Sequence, residues 1–411
     1  MENVTETVPQ KPLTRSPRIE RSLLVLSLAH FIVDFFGGLL TPLPEPTLTR
    51  HLGVELGTVA VLLGGCALLT DVIQPLSGWF LPRRGLPFLL LLCPLFASFS
   101  SFIGLSHSMA WVAFSLILSA TAIGLVHPEA ILAAHAVAKK RPGFGMALYV
   151  SSGYFGFSCG SLVSGLWVDH FEQDLSSFWC LGLLVIPVLA LIRGTGLHRM
   201  KGHVEKTVSQ EKGPLPFYLI FPLTVSIAAN MCLLVRFITI LLVRSFPDQS
   251  SQAWGGATVF ASGISGALGS FVWGHLSDRW GKARLIVTAQ LLAIPFLYMM
   301  THPQSPSWAP FWGVGTGCTL GAVFPLAVIL ARSSHGLSDR LRMGLSVGGA
   351  WGIGEIGFIL AGRYVGRFVS GNPLPVQRVY WVCWFLLFST TLLALFITKK
   401  EPPVPALERR T

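Results

Sequence analysis

The stretch from Val126 to Leu132, Val-His-Pro-Glu-Ala-Ile-Leu, returns from Val323 to Ile329 as Val-Phe-Pro-Leu-Ala-Val-Ile. Pro128 and Pro325 stand 197 positions apart, the same offset relates Met146 to Met343, and Gly78 precedes Gly274 by 196. A near-constant offset through three separate apolar segments marks a duplicated unit. The copies differ where ionisable chemistry resides, because His127 and Glu129 flank the first proline and Phe324 and Leu326 flank the second.

Working outward from this repeat, the 411-residue chain is 52% hydrophobic and only 12% charged, with a mean hydropathy of +0.63. A soluble domain of this size would carry about twice that share of charge. Crossing a hydrocarbon core takes about 20 apolar residues. Such runs recur near 21–41, 57–80, 86–105, 109–138, 143–167, 177–193, 216–243, 253–276, 283–301, 308–331, 343–363 and 377–398. The expected fold is therefore an all-α membrane protein with twelve transmembrane helices in two pseudo-symmetric six-helix bundles. Its parts would be an N-terminal tail (1–20), a first bundle (21–193), a charged linker (194–214), a second bundle (215–398) and a C-terminal tail (399–411).

With the N-terminus inside, 24 of the 30 Lys and Arg residues fall in inner segments, whereas Arg50, Arg244, Arg363, Arg367 and Arg378 fall outside. This bias orients both termini toward the cytoplasm. Because the net charge of +11 is spread over short loops, it argues for topology and against a nucleic-acid groove. No small-residue cleavage pattern follows the first apolar run, so it is expected to stay as a span. The seven cysteines lie in apolar stretches without a Cys-x-x-Cys pair, which predicts buried free thiols and no metal site.

The ionisable residues within spans are few, and each is costly enough in lipid to be a functional candidate. His30 and Asp34 lie one helical turn apart on one face, suited to sharing a proton. His127 and Glu129 point to different sides of their helix, so one is expected to face a cavity and the other to pair within the first bundle. Asp71 precedes Gln74 and Pro75, and Glu355 sits among Gly348, Gly349, Gly352, Gly354 and Gly357. These six are the proton-coupling candidates. Asp34, His127, Glu355 and Arg236 are the substrate-cavity candidates, Arg236 either clamping an anionic group or bridging to an acid across the domain interface.

A loop motif narrows the class. Gly274-His275-Leu276-Ser277-Asp278-Arg279-Trp280-Gly281-Lys282-Ala283-Arg284 resembles the gating motif that major facilitator superfamily transporters carry between the second and third helices of each half. The first-half copy keeps Gly78, Arg83 and Gly85 but has Pro82 where the pattern has Asp. Ala29-His30-Phe31-Ile32-Val33-Asp34-Phe35, Gln74-Pro75-Leu76-Ser77-Gly78 and His127-Pro128-Glu129-Ala130 resemble the fosmidomycin-resistance branch of that superfamily. The resemblance implies an exporter in a bacterial inner membrane that expels a small organic molecule or drug in exchange for protons, without a cofactor and functional as a monomer. It implies roles for Asp34, His127 and Glu129. Symport or facilitated import of an organic acid or metal chelate uses the same carboxylates and is the near rival; a non-transporting binding or assembly protein is the more distant one. Of the membrane-enzyme signatures, the metalloprotease pattern His-Glu-x-x-His is missing from the sequence. The cluster Pro42-Leu43-Pro44-Glu45-Pro46 is expected to break the first helix at the outer face.

Overall fold

The computed structural model describes residues 17–80, 86–138, 142–199, 215–247 and 249–400. The first half runs α1 (Pro17–Gly38), α2 (Leu56–Phe80), α3 (Leu89–Leu105), α4 (Met109–Val137), α5 (Pro142–His170) and α6 (Phe178–Thr195). The second runs α7 (Phe217–Ser245), α8 (Ser251–Trp280), α9 (Lys282–Thr301), α10 (Pro306–Ser333), α11 (Leu341–Val365) and α12 (Leu374–Thr398). Ten of these are long and apolar enough to cross a bilayer. Of the other two, α3 is shorter, and α5 spans 29 residues whose hydropathy is diluted by glycine and serine. The chain is a multi-pass integral membrane protein.

The halves meet through matched pairs: α2 packs on α11 and α5 on α8, the second span of each half against the fifth of the other. Glycine makes these approaches close. A Cβ at Gly256 would overlap the Ser161 carbonyl across the α5–α8 seam, and one at Gly348 would overlap the Asp71 carbonyl across the α2–α11 seam. Within the first half, Gly156 and Gly160 of α5 sit on the Phe31 and Phe35 carbonyls of α1.

Several spans depart from regular helix where the sequence alone suggested continuity. α3 tightens to a 3-10 helix at Ser98, where the Ser98 and Ser101 hydroxyls donate to carbonyls three residues back, Leu95 O and Ser98 O. α10 is interrupted by a 3-10 turn at Gly321–Val323 before its second segment starts at Phe324, whereas α4 stays one helix through Pro128. α11 contains a wide turn at Leu345–Gly349. α1 ends at Gly38, and the proline cluster forms its own short turn, Pro44–Leu48, buried at the end of the bundle away from the termini. That end is called outer below, following the charge bias. All seven cysteines are free thiols; Cys159, Cys180 and Cys318 are only half-buried, because lipid-facing helix surfaces also carry apolar residues. Of the linker expected at 194–214, residues 194–199 are described: α6 ends at Thr195 and a 3-10 turn follows at Leu197–Arg199.

Candidate functional site

Three side chains from two helices converge beside the seam. His30 and Asp34 share one face of α1, and α4 delivers His127 to the opposite carboxylate oxygen: His30 Nε2 lies 3.3 Å from Asp34 Oδ2 and His127 Nε2 lies 3.4 Å from Asp34 Oδ1. Both rings are oriented from behind. His30 Nδ1 donates to the Tyr149 carbonyl at 2.7 Å and His127 Nδ1 donates to the Ile123 carbonyl at 2.6 Å. The Tyr149 ring stacks on His30 with centroids 4.1 Å apart, and the two imidazoles meet edge-on at 5.1 Å. Gly153 of α5 makes room, since a Cβ there would stand 2.7 Å from His30 Nε2. Asp34 and His127 each keep 19% of their side-chain surface free, so the cluster opens on a space that protein does not fill. Against the expectation of no metal site stands one cluster of suitable donors: one atom each from His30, Asp34 and His127 lies within 4.8 Å of the others, and sequence spacing could not reveal it because the donors come from α1 and α4.

Glu129 turns away from this cluster, its Oε2 accepting the Leu86 backbone N–H at 2.7 Å. His127 and Glu129 thus divide as their helical spacing requires. Across the seam, α7 and α11 bring Arg236 and Glu355 together: the guanidinium Nε and NH2 donate to Glu355 Oε1 at 3.2 and 2.7 Å, and the guanidinium lies 5.5 Å from the centre of the Phe358 ring. The sequence left open an anion clamp or a bridge between halves; the bridge that forms lies within the second half, between α7 and α11. Asp71 of α2 packs against Gly348 and Gly352 of α11, one turn before Glu355, and is within electrostatic reach of Glu355, Arg236 and His127. It links the two polar groups from opposite sides of the seam.

The outer end of the seam is shut by residues that no sequence argument singled out for function. Glu45, 3% exposed, accepts Arg244 Nε at 2.9 Å and NH2 at 3.3 Å, together with the Ser370 hydroxyl. Gln252 Nε2 donates to the Pro42 carbonyl at 2.9 Å and to Thr47 Oγ1 at 2.8 Å. Arg244, Ser370 and Gln252 belong to the second half, Glu45 and Thr47 to the first. A usable signal existed in the sequence: one acid within the proline cluster and one arginine ending span seven stand at equal depth on opposite halves.

The loop motif is partly described. Gly274 lies in α8, Asp278 and Arg279 are exposed at its inner end, and Arg284 is exposed in α9. Gly281 joins the helices at φ +86°, a conformation that L side chains rarely adopt, which explains glycine there. Gly78 is part of α2, while Arg83 and Gly85 lie outside the described residues.

Comparison with known proteins agrees with this architecture. The chain is 25% identical over 372 residues to the fosmidomycin resistance protein of Escherichia coli K12, covering 88% of this chain and 89% of that one. It is 23% identical over 378 residues to the uncharacterized MFS-type transporter YfnC of Bacillus subtilis 168, with the same coverage. Among solved structures it resembles the nucleoside transporter NupG (TM-score 0.67, 12% identity, 92% of this chain and 98% of that one). It also resembles a bacterial homologue of the lysosomal transporter Spinster in an inward-facing, occupied conformation (TM-score 0.68, 14% identity, 94% and 98%). The model of the Major Facilitator Superfamily matches residues 26–246, more than half of the chain. With that match and this fold, the chain belongs to the Major Facilitator Superfamily as a membrane transporter, and it resembles the fosmidomycin-resistance branch.

Proposed function

We propose that this transporter is a secondary active exporter, acting as a monomer in a bacterial inner membrane with both termini cytoplasmic, that moves a small organic molecule or drug outward in exchange for protons. The observation that carries the reading is the juxtaposition of Asp71 from one half with the Arg236–Glu355 pair of the other. Glu355 Oε2 is buried without a hydrogen-bond partner among the described residues. Two carboxylates repel more the closer they stand, and Asp71 and Glu355 are within electrostatic reach of each other across the seam. Rocking the halves changes that separation, which makes proton occupancy depend on conformation, and a solute that prefers one conformation is then coupled to the proton. The closed outer seam supports one end state of the cycle, with access from the inner face. Asp34 and His127 supply a polar wall of the crevice for the solute. Likeness to a fosmidomycin resistance protein supports outward movement and makes fosmidomycin the first solute to try.

Reconstitution into liposomes with an imposed pH gradient tests this. The wild type should move solute against its gradient while dissipating the pH difference. Asp71→Asn should leave downhill exchange intact and abolish the proton-driven component. Solute flux in the wild type that neither responds to nor consumes the gradient would refute proton exchange.

A further inference from the structure

We infer that His30, Asp34 and His127 form a binding site for one divalent transition-metal ion of the Zn2+ or Co2+ class, open to the crevice between the halves. The distances favour an ion over direct hydrogen bonds. A charge-assisted N–H···O contact settles at about 2.7–2.9 Å, but both Nε2 to carboxylate separations here are 3.3 and 3.4 Å. Donors that share a tetrahedral ion at bond lengths of about 2.0–2.1 Å stand about 3.3–3.4 Å from one another; each imidazole here meets a different Asp34 oxygen at that separation, and one donor atom from each of the three residues lies within 4.8 Å of the others. His30 Nε2 is buried and makes no hydrogen bond among the described residues, although a buried polar nitrogen is costly when left alone.

The arrangement behind the rings points the same way. Each Nδ1–H is committed to a backbone carbonyl, Tyr149 O or Ile123 O, which assigns the Nδ1–H tautomer and leaves each Nε2 lone pair aimed at the carboxylate. In neutral rings, two lone pairs facing an anionic carboxylate repel unless a cation stands among them. A backbone carbonyl behind the ring is also the usual device that orients a metal-binding imidazole and raises its basicity. Two imidazoles and one carboxylate suit a borderline-soft divalent ion and do not suit Mg2+ or Ca2+, which prefer all-oxygen shells.

Three protein donors leave a tetrahedral ion at least one open position. The free surface of Asp34 and His127 leaves that position accessible, so the ion is exchangeable and can accept an oxygen donor from a solute. The site stands independently of the proposed direction of transport or proton exchange.

Equilibrium binding to the purified, tag-free chain in detergent tests the site without any flux measurement. Co2+ titration should give visible ligand-field absorption of the tetrahedral type at one ion per chain, displaced by Zn2+. Asp34→Asn, which preserves side-chain shape, and His127→Phe should each weaken Co2+ binding at least about tenfold, in the range seen when a metal's protein shell is disturbed. Retained thermal unfolding temperature shows that either variant is folded, and one folded variant of the two suffices. The half-buried His51 and the exposed His107, with ring centroids 4.3 Å apart at the outer face, are the competing adventitious site. His51→Ala should leave the Co2+ signal unchanged. Absence of the absorption band in the wild type, or a band that survives Asp34→Asn and vanishes in His51→Ala, would overturn the assignment.

Discussion

The helices α4 and α10 descend from one repeated sequence and keep the same proline, yet they differ in shape and in company. Around Pro128 the first copy remains a single helix, and His127 reaches Asp34. Around Pro325 the second copy breaks into two segments, and Phe324 packs edge-on against Trp351 at 5.6 Å. The contrast extends to the neighbours. At the 197-residue offset, His30, Asp34 and His127 correspond to Ile227, Met231 and Phe324, all buried and apolar, while Arg236 and Glu355 correspond to Leu39 and Ser158. Duplication supplied the scaffold, and each half then carried its own charged cluster at positions the other half fills with uncharged side chains. The first half leaves Asp34 and His127 partly exposed; the second pairs its own charges.

The comparison can be broken first at the neutralised pair. Glu355→Gln leaves Arg236 buried without its hydrogen-bonded counter-charge, and the chain should lose about 3–5 kcal/mol of stability; replacing both residues with leucine should cost less. Denaturation in detergent micelles reads both, and equal losses would show that the pair is not a unit. Next, Phe324→His gives the second half the first half's residue without its partners. The unsatisfied imidazole should cost about 1–3 kcal/mol, with no gain in cation binding by titration. A stabilised variant would show that the scaffold, not the partners, sets the chemistry. The smallest effect belongs to Glu129→Gln. The amide oxygen still accepts the Leu86 N–H, so unfolding should shift by no more than about 1 kcal/mol and solute flux should stay at wild-type level. Lost flux with intact folding would return Glu129 to the transport path.

The duplication and the twelve apolar runs were legible because length and hydropathy are local properties that a bilayer enforces residue by residue. The split between His127 and Glu129 was legible too, since 3.6 residues per turn places them on different faces. What stayed hidden depends on distant partners. Arg236 meets Glu355 across 119 positions and Glu45 meets Arg244 across 199, and nothing in either neighbourhood names the other. The 3-10 stretch of α3 likewise depends on hydroxyls finding carbonyls, among them Ser100 donating to Phe36 O in another helix. Glu45 is the instructive miss: the prolines around it read as a helix breaker, although the turn they form carries the acid into the outer seam.

Alternating access stands or falls at that outer seam. Spin labels on the outer ends of α1 and α7, read as a distance distribution by pulsed electron paramagnetic resonance, test whether Glu45 and Arg244 hold the halves shut. The wild type should give a dominant short distance, and Arg244→Ala should transfer a substantial share of molecules to a longer one while distances at the inner ends shorten. An unchanged distribution in Arg244→Ala, at both ends, would contradict a transporter that works by rocking two halves about a latched outer seam.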